Sequence, residues 1–161
     1  MSSTTRLLCA VITVSSSRAA GSGAVDSSGD LVETRLRTLP VADIERLLVA
    51  DDVDSIRNAL LQSSADLVVL TGGTGIGAGD VTPEAVRPLL DRELPGMGEA
   101  MRAAGLAKTA HAMLSRQFAG VRGQTLVLAL PDSTAACRDC LEAVWPALPH
   151  ALSLLRRGAE P

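Results

Sequence analysis

The chain has 161 residues, 47% of them apolar, with one Trp, one Phe and no Tyr. That suffices for one compact domain with an aliphatic core, here residues 1–161, and is too short for two domains of ordinary size. The net charge of −3 and the scarcity of aromatics argue against nucleic acid, which favours basic surfaces and stacking rings.

No apolar run reaches the roughly 18 residues of a membrane span. The start, MSSTTR, lacks the apolar stretch of a secretory leader, so a cytoplasmic protein is expected. Cys9, Cys137 and Cys140 make an odd set without a second Cys/His pair. Cys137 and Cys140 therefore read as structural thiols on one helix face in a reducing compartment.

In chain order, residues 6–14 are apolar and β-branched, as in a buried strand. A Ser/Gly-rich loop follows, and a helix starts near Asp26–Ser28 and ends by Pro40. Residues 42–50 form a second strand ending in Asp51. An amphipathic helix follows with Val53, Ile56, Leu60 and Leu61 at helical spacing. Residues 66–71 are a third, short strand, continuously apolar as in a parallel sheet covered on both faces.

GGTGIGAGD comes next, and a helix over 82–94 opens with Thr82 as cap and Pro83 at its first position. Residues 96–113 look helical. Ser115–Val121 and Gln124–Leu130 read as two strands around a turn at Arg122–Gly123, the first at the sheet edge. Pro131–Thr134 turn into a closing helix with a break near Pro146 or Pro149. Strands alternating with helices predict an α/β fold: a doubly wound, mainly parallel sheet with helices on both faces and an antiparallel edge hairpin.

The strongest chemical signal runs from Leu70 to Glu84, LTGGTGIGAGDVTPE. A glycine-rich turn after a parallel strand lies at the carboxyl edge, where open α/β sheets bind ligands. Without side chains at Gly72, Gly73 and Gly75, backbone N–H groups can approach an anion. The helix start at Thr82–Pro83 adds partial positive charge. Asp80, between turn and helix, can hold Mg²⁺ or position a phosphate. The string is neither a Walker A loop, which needs Gly-Lys-Ser/Thr, nor G-x-G-x-x-G.

At this string the chain resembles the molybdopterin-binding family of molybdenum-cofactor biosynthesis, MogA/MoaB type. Further blocks carry the likeness: Ser17–Arg18 after the first strand, Asp51 after the second, DRELPGMGEAMR, MLSRQFAGVRGQTLVLALP, and the pattern from Cys140 to Leu152. The resemblance implies a trimer and an adenylyltransferase that uses Mg-ATP to place AMP on the terminal phosphate of molybdopterin. It implies a partner protein that inserts molybdate afterwards. Asp51 and Asp80 match the family's functional carboxylates and are expected to position Mg²⁺ and phosphate. Ser15, Thr71, Gly72, Gly73, Thr74, Gly75, Thr82, Pro83, Glu84, Ser115, Arg116, Pro131, Asp132 and Ser133 are the expected molybdopterin- and nucleotide-binding residues.

Plainer roles compete for some of these. Asp51 could be only a helix N-terminal acid, and Arg116 could bind phosphate or form a surface salt bridge. His111 and His150 read as surface or packing residues. The chain departs from the family at Pro131-Asp132-Ser133-Thr134, where Pro-Gly-Ser/Asn-Pro is usual. Asp132 puts a carboxylate where glycine would let the backbone approach an anion; it would repel phosphate or recruit a cation. The departure makes a non-catalytic molybdopterin-binding or assembly protein of the same pathway the alternative to an enzyme.

Overall fold

The computed structural model describes residues 5–158; the opening residues, on which the reading of the leader partly rests, lie outside them. Strands β1 (Leu7–Val14), β2 (Val41–Val49), β3 (Leu67–Thr71) and β6 (Thr125–Leu130) run parallel. β5 (Phe118–Arg122) pairs antiparallel with β6, and β4 (Arg92–Glu93) antiparallel with β5. The six-stranded order is β2-β1-β3-β6-β5-β4. The mixed α/β architecture expected from the sequence is the one observed.

Both faces of the sheet are covered, which is why its central strands β1, β3 and β6 are apolar except at Thr13, Thr71 and Thr125. Leu7, Cys9 and Val11 of β1 face one core, with α2 (Ser27–Leu36), α5 (Pro95–Leu106), α6 (Thr134–Val144) and α7 (Leu148–Arg157) packed over it. Ala10, Ile12 and Val14 face the other, under α3 (Val53–Gln62) and α4 (Thr82–Val86). The alternation is the period of two of a β-strand. α3 buries Ile56, Ala59 and Leu60, while Leu61, expected on that face, is exposed.

Three local expectations fail. Ser16–Ala19 form a short helix, α1, inside the expected loop. The helix expected over 82–94 ends at Val86, runs on as one 3₁₀ turn through Leu89, and gives way to β4. Pro88 explains the ending, because it supplies no N–H and crowds the preceding turn. β4 therefore takes the sheet edge assigned to β5. The helix expected over 96–113 stops at Leu106, and a 3₁₀ segment, Ala110–Leu114, leads to Ser115.

The closing helix breaks at the 3₁₀ turn Trp145–Ala147, as Pro146 predicts. α7 then returns to the amino edge of the sheet. There Arg156 donates to the carbonyls of Thr5 and Arg6, at 2.6 and 3.0 Å, and to Asp66 Oδ2 at 3.0 Å.

Candidate active site

The parallel register aligns Val14 with Val49, Thr13 with Thr71, and Thr71 with Leu130. The segments that follow these strands, at Ser15, Asp51, Gly72 and Pro131, therefore share the carboxyl edge. This is the ligand edge of an open α/β sheet.

The glycine turn is a tightly braced structure. Gly72 and Gly73 have φ of +94° and +70°. A Cβ at Gly72 would collide with the Val14 carbonyl, and one at Gly73 with Thr82 Oγ1. Both positions thus need glycine for conformation and for space. Gly72 N–H donates to Leu130 O at 3.0 Å. Thr82 closes the turn: its Oγ1 donates to Gly72 O at 2.9 Å and its N–H to Gly73 O at 3.0 Å.

Asp80 folds back over the turn. Its Oδ2 accepts from Gly77 N–H at 3.0 Å, and a Cβ at Gly75 would come within 2.7 Å of that oxygen. Arg116 locks the arrangement from the far strand pair. Its Nε donates to Gly75 O and its Nη2 to Asp80 O, both at 2.7 Å, and its Nη1 pairs with Glu84 Oε1. The bond from Arg116 holds the Glu84 carboxyl below its usual range.

The result is a concave polar cavity of about 320 Å³, walled by Gly73–Gly75 and Ile76 on one side and Asp80, Ser115, Pro131 and Asp132 on others. Among the described residues, the N–H groups of Gly73, Thr74, Gly75 and Ile76 donate to no protein acceptor. Successive free N–H groups in a turn form an anion-binding nest.

Not every expected ligand contact has a free side chain there. Thr71 is 1% exposed, and its Oγ1 is buried without a partner, so only its backbone borders the turn. Thr82 and Pro83 are buried; Thr82 acts as a strut, and Val81 rather than Thr82 occupies the cap position, with no side-chain cap bond. α4 has five residues and its first N–H is bonded to Gly73. The anion nest therefore comes from the turn, not from the helix start. Of the two roles open to Arg116, the structure shows the salt bridge, together with the loop clamp. Ser133 caps α6, accepting from Ala136 N–H at 3.1 Å.

Asp51 stands on the same edge but does not line this cavity. The helix-cap role open to it belongs to its neighbour: Asp52 caps α3, accepting from Ser55 N–H at 2.7 Å. Asp51 Oδ2 instead accepts from Ser16 N–H at 2.8 Å, and Asp51 N–H donates to Ser16 Oγ at 2.9 Å. Ser15 caps α1 beside it, accepting from Arg18 N–H at 3.4 Å. His111, read as a surface or packing residue, lines the cavity. Its distance in sequence from the glycine string hid this; only its place five residues before Arg116 hinted at it.

Among the described residues no group of three or more His, Cys, Asp or Glu side chains could cage a metal ion. Asp51 and Asp80 each use one carboxylate oxygen on a backbone N–H and leave the other without a protein partner. Hard oxygen donors in ones and twos suit Mg²⁺, which keeps waters and takes the rest of its shell from phosphates. The cysteines offer no alternative: all three are buried and unpaired, and burial pushes the Cys9 and Cys137 thiols up to about 12 and Cys140 to about 11.

A family model described as "Probable molybdopterin binding domain" matches residues 10–150. The chain belongs to the molybdopterin-binding domain family. Its match to the molybdopterin adenylyltransferase of Helicobacter pylori (strain J99) is 44% identical over 112 residues, covering 67% of this chain and 64% of that protein. The chain thus spans less than two thirds of that relative. The solved structure of the molybdopterin biosynthesis enzyme MoaB from "thermus theromophilus" superposes with a TM-score of 0.82 at 42% identity, covering 92% of this chain and 96% of that one. A MogA structure superposes with a TM-score of 0.86 at 34% identity, covering 92% and 99%. The glycine turn and its bracing are thus features of a molybdopterin-binding domain. No helix among the described residues is long and apolar enough to cross a membrane.

Proposed function

We propose that this molybdopterin-binding domain is a molybdopterin adenylyltransferase. The observation that carries the proposal is the row of free N–H groups at Gly73 to Ile76, four residues that line a polar cavity beside Asp80. Such a nest suits the phosphates of two polyanionic reactants. In the reaction, an oxygen of molybdopterin's terminal phosphate forms a bond to the α-phosphorus of ATP. The bond from that phosphorus to the bridging oxygen breaks, and pyrophosphate leaves with the electron pair.

Transfer of this kind needs alignment more than covalent help. The turn binds and orients phosphate through its N–H groups; Arg116 and Thr82 hold it rigid; Ser115, Pro131 and Asp132 border the opposite wall. Asp80 and Asp51 would hold Mg²⁺ together with phosphate oxygens and waters, and the ion would offset the charge of the reactants.

The experiment is incubation of purified protein with molybdopterin and Mg-ATP, assayed for adenylylated pterin and pyrophosphate. Product is expected, and Asp80→Ala should lower it by roughly 100-fold or more with the fold intact. Tight pterin binding without pyrophosphate release would reject the enzyme and select a non-catalytic binding or assembly protein. One observation favours that second reading: the Asp132 carboxylate lines the cavity without a cationic partner.

A homotrimer working in the cytoplasm with a molybdate-inserting partner completes the proposal. Exposed Leu106 at the end of α5, with Met113 and Leu114 in the 3₁₀ segment after it, supplies apolar surface for a neighbour. Light scattering on the eluted protein tests the trimer.

A further inference from the structure

We propose that the free edge of β2 takes an extended, basic stretch of a partner polypeptide as an added strand, with side chains reaching into the groove between β2 and α3. β2 ends the sheet order and pairs with β1 alone. Val49 O accepts from Ser15 N–H at 2.9 Å, so the polar backbone of Val49 points to the β1 side. These groups alternate in direction along a strand, so Ile44, Arg46 and Leu48 point theirs outward. No described strand meets them. An extended chain can bond to such a row, and its side chains then decide whether it fits.

The edge borders a groove of about 380 Å³. Glu45, Leu47 and Val49 line it from β2, and Asn58, Ala59 and Gln62 from α3. Leu47 and Val49 pack on the α3 side of the sheet. A strand added beside β2 sends every second side chain to that side, over the groove. The side-chain amides of Asn58 and Gln62 have no partner among the described residues, so they are available to it.

Charge selects the occupant. Asp43 and Glu45 are exposed, and neither has a cationic partner among the described residues. Residues 41–54 hold five acids, Asp43, Glu45, Asp51, Asp52 and Asp54, against one base, Arg46. Arg46 is committed to Asp26, Asp30 and Glu33. A lysine or arginine across from Glu45 or Asp43 is favourable, and an acid there is not. A second copy therefore fits badly. Two β2 edges joined antiparallel about a twofold axis keep each sheet face on its own side, which sets Asp43 and Glu45 near the same acids of the other copy. A helix laid on the edge would cover the outward N–H and C=O groups without bonding them.

The probes are labelled, capped peptides of about eight residues, a usual strand length, alternating threonine with lysine or, as control, threonine with glutamate. Fluorescence anisotropy should show the lysine peptide bound, less tightly as salt rises, and the glutamate peptide unbound. Amide hydrogen exchange with the lysine peptide present should slow at Ile44, Arg46 and Leu48. Glu45→Lys should weaken the lysine peptide about tenfold and admit the glutamate peptide. Leu48→Pro removes one outward N–H and spares the ladder to β1. It should abolish binding of the lysine peptide and leave adenylyl transfer unchanged.

Equal binding of the two peptides, binding of neither, or unslowed exchange at the three outward amides overturns the proposal. A lower light-scattering mass for Leu48→Pro without peptide would put a second copy on this edge, and overturns it too.

Discussion

Arg116 donates from Nη2 to the main-chain carbonyl of Asp80 at 2.7 Å, so a residue leading into β5 fixes the carboxylate that hangs over the glycine turn. The same guanidinium reaches Gly75 O and Glu84, which makes Arg116 a positioning residue. Lysine offers no planar fork and cannot replace three directed bonds. Arg116→Lys and Arg116→Ala should both lower kcat/KM for adenylyl transfer, by about 10- to 100-fold, and raise the apparent Mg²⁺ requirement. Steady-state kinetics at several Mg²⁺ concentrations check this; a lysine variant with wild-type kinetics would show that the clamp is idle.

Asp132 offers the sharpest test of enzyme against binding protein. Its carboxylate borders the cavity where phosphates are proposed to sit, and replacing it with glycine removes both the charge and the Cβ. Asp132→Gly should tighten ATP binding by about tenfold. The gain should shrink as salt is raised. Weaker binding would mean that Asp132 faces a bound cation rather than bare phosphate, and unchanged affinity that it meets neither.

Gly73 combines φ +70° with a neighbour, Thr82 Oγ1, that leaves no room for a Cβ. Gly73→Ala adds left-handed strain and pushes away the hydroxyl that closes the turn. A loss of about 3 kcal/mol is expected, seen as a Tm roughly 10 °C lower. Gly79, where a Cβ meets nothing within 4 Å, should accept alanine with little change.

Acid stability should depend on Asp26. Burial pushes its carboxyl up, but donors from Thr13 Oγ1 at 2.5 Å, Gly29 N–H at 3.1 Å and Arg46 Nη2 at 2.9 Å outweigh this and hold it below the usual range. With the folded pKa depressed, the unfolded chain binds the proton first. The stabilisation is complete above the usual carboxylate pKa, near about 4, and is lost as pH falls through the lower folded value. Asp26→Asn should cost about 2 kcal/mol at neutral pH and flatten the acid limb of a urea-unfolding series. A variant whose profile stays parallel to wild type would remove Asp26 as the source.

Much of this was legible in the sequence where burial is continuous. β1, β3 and β6 are apolar runs because both sheet faces are covered, and periodicity finds them. β4 was not legible: Arg92 and Glu93 are exposed and join β5 through a two-residue backbone ladder. What admits them is Gly120 across the ladder, where a Cβ would come within 2.7 Å of Arg92 O.

The site divides in the same way. The glycine string marked the turn, because only glycine tolerates that backbone. Arg116 lies 36 residues from Asp80, and sequence spacing carries no record of a clamp made through tertiary packing. Thr71 and Thr82 suggested ligand contacts by composition, yet their side chains are turned inward, which only the fold decides.

Arg156 holds residues 5 and 6 against the last helix at the amino edge of the sheet, opposite the glycine turn. The first described residues and the end of α7 therefore lie together on the side away from the cleft. Arg156 thus staples the start of β1 to the last helix at the back of the protein, and leaves the mouth of the cleft clear of that seam.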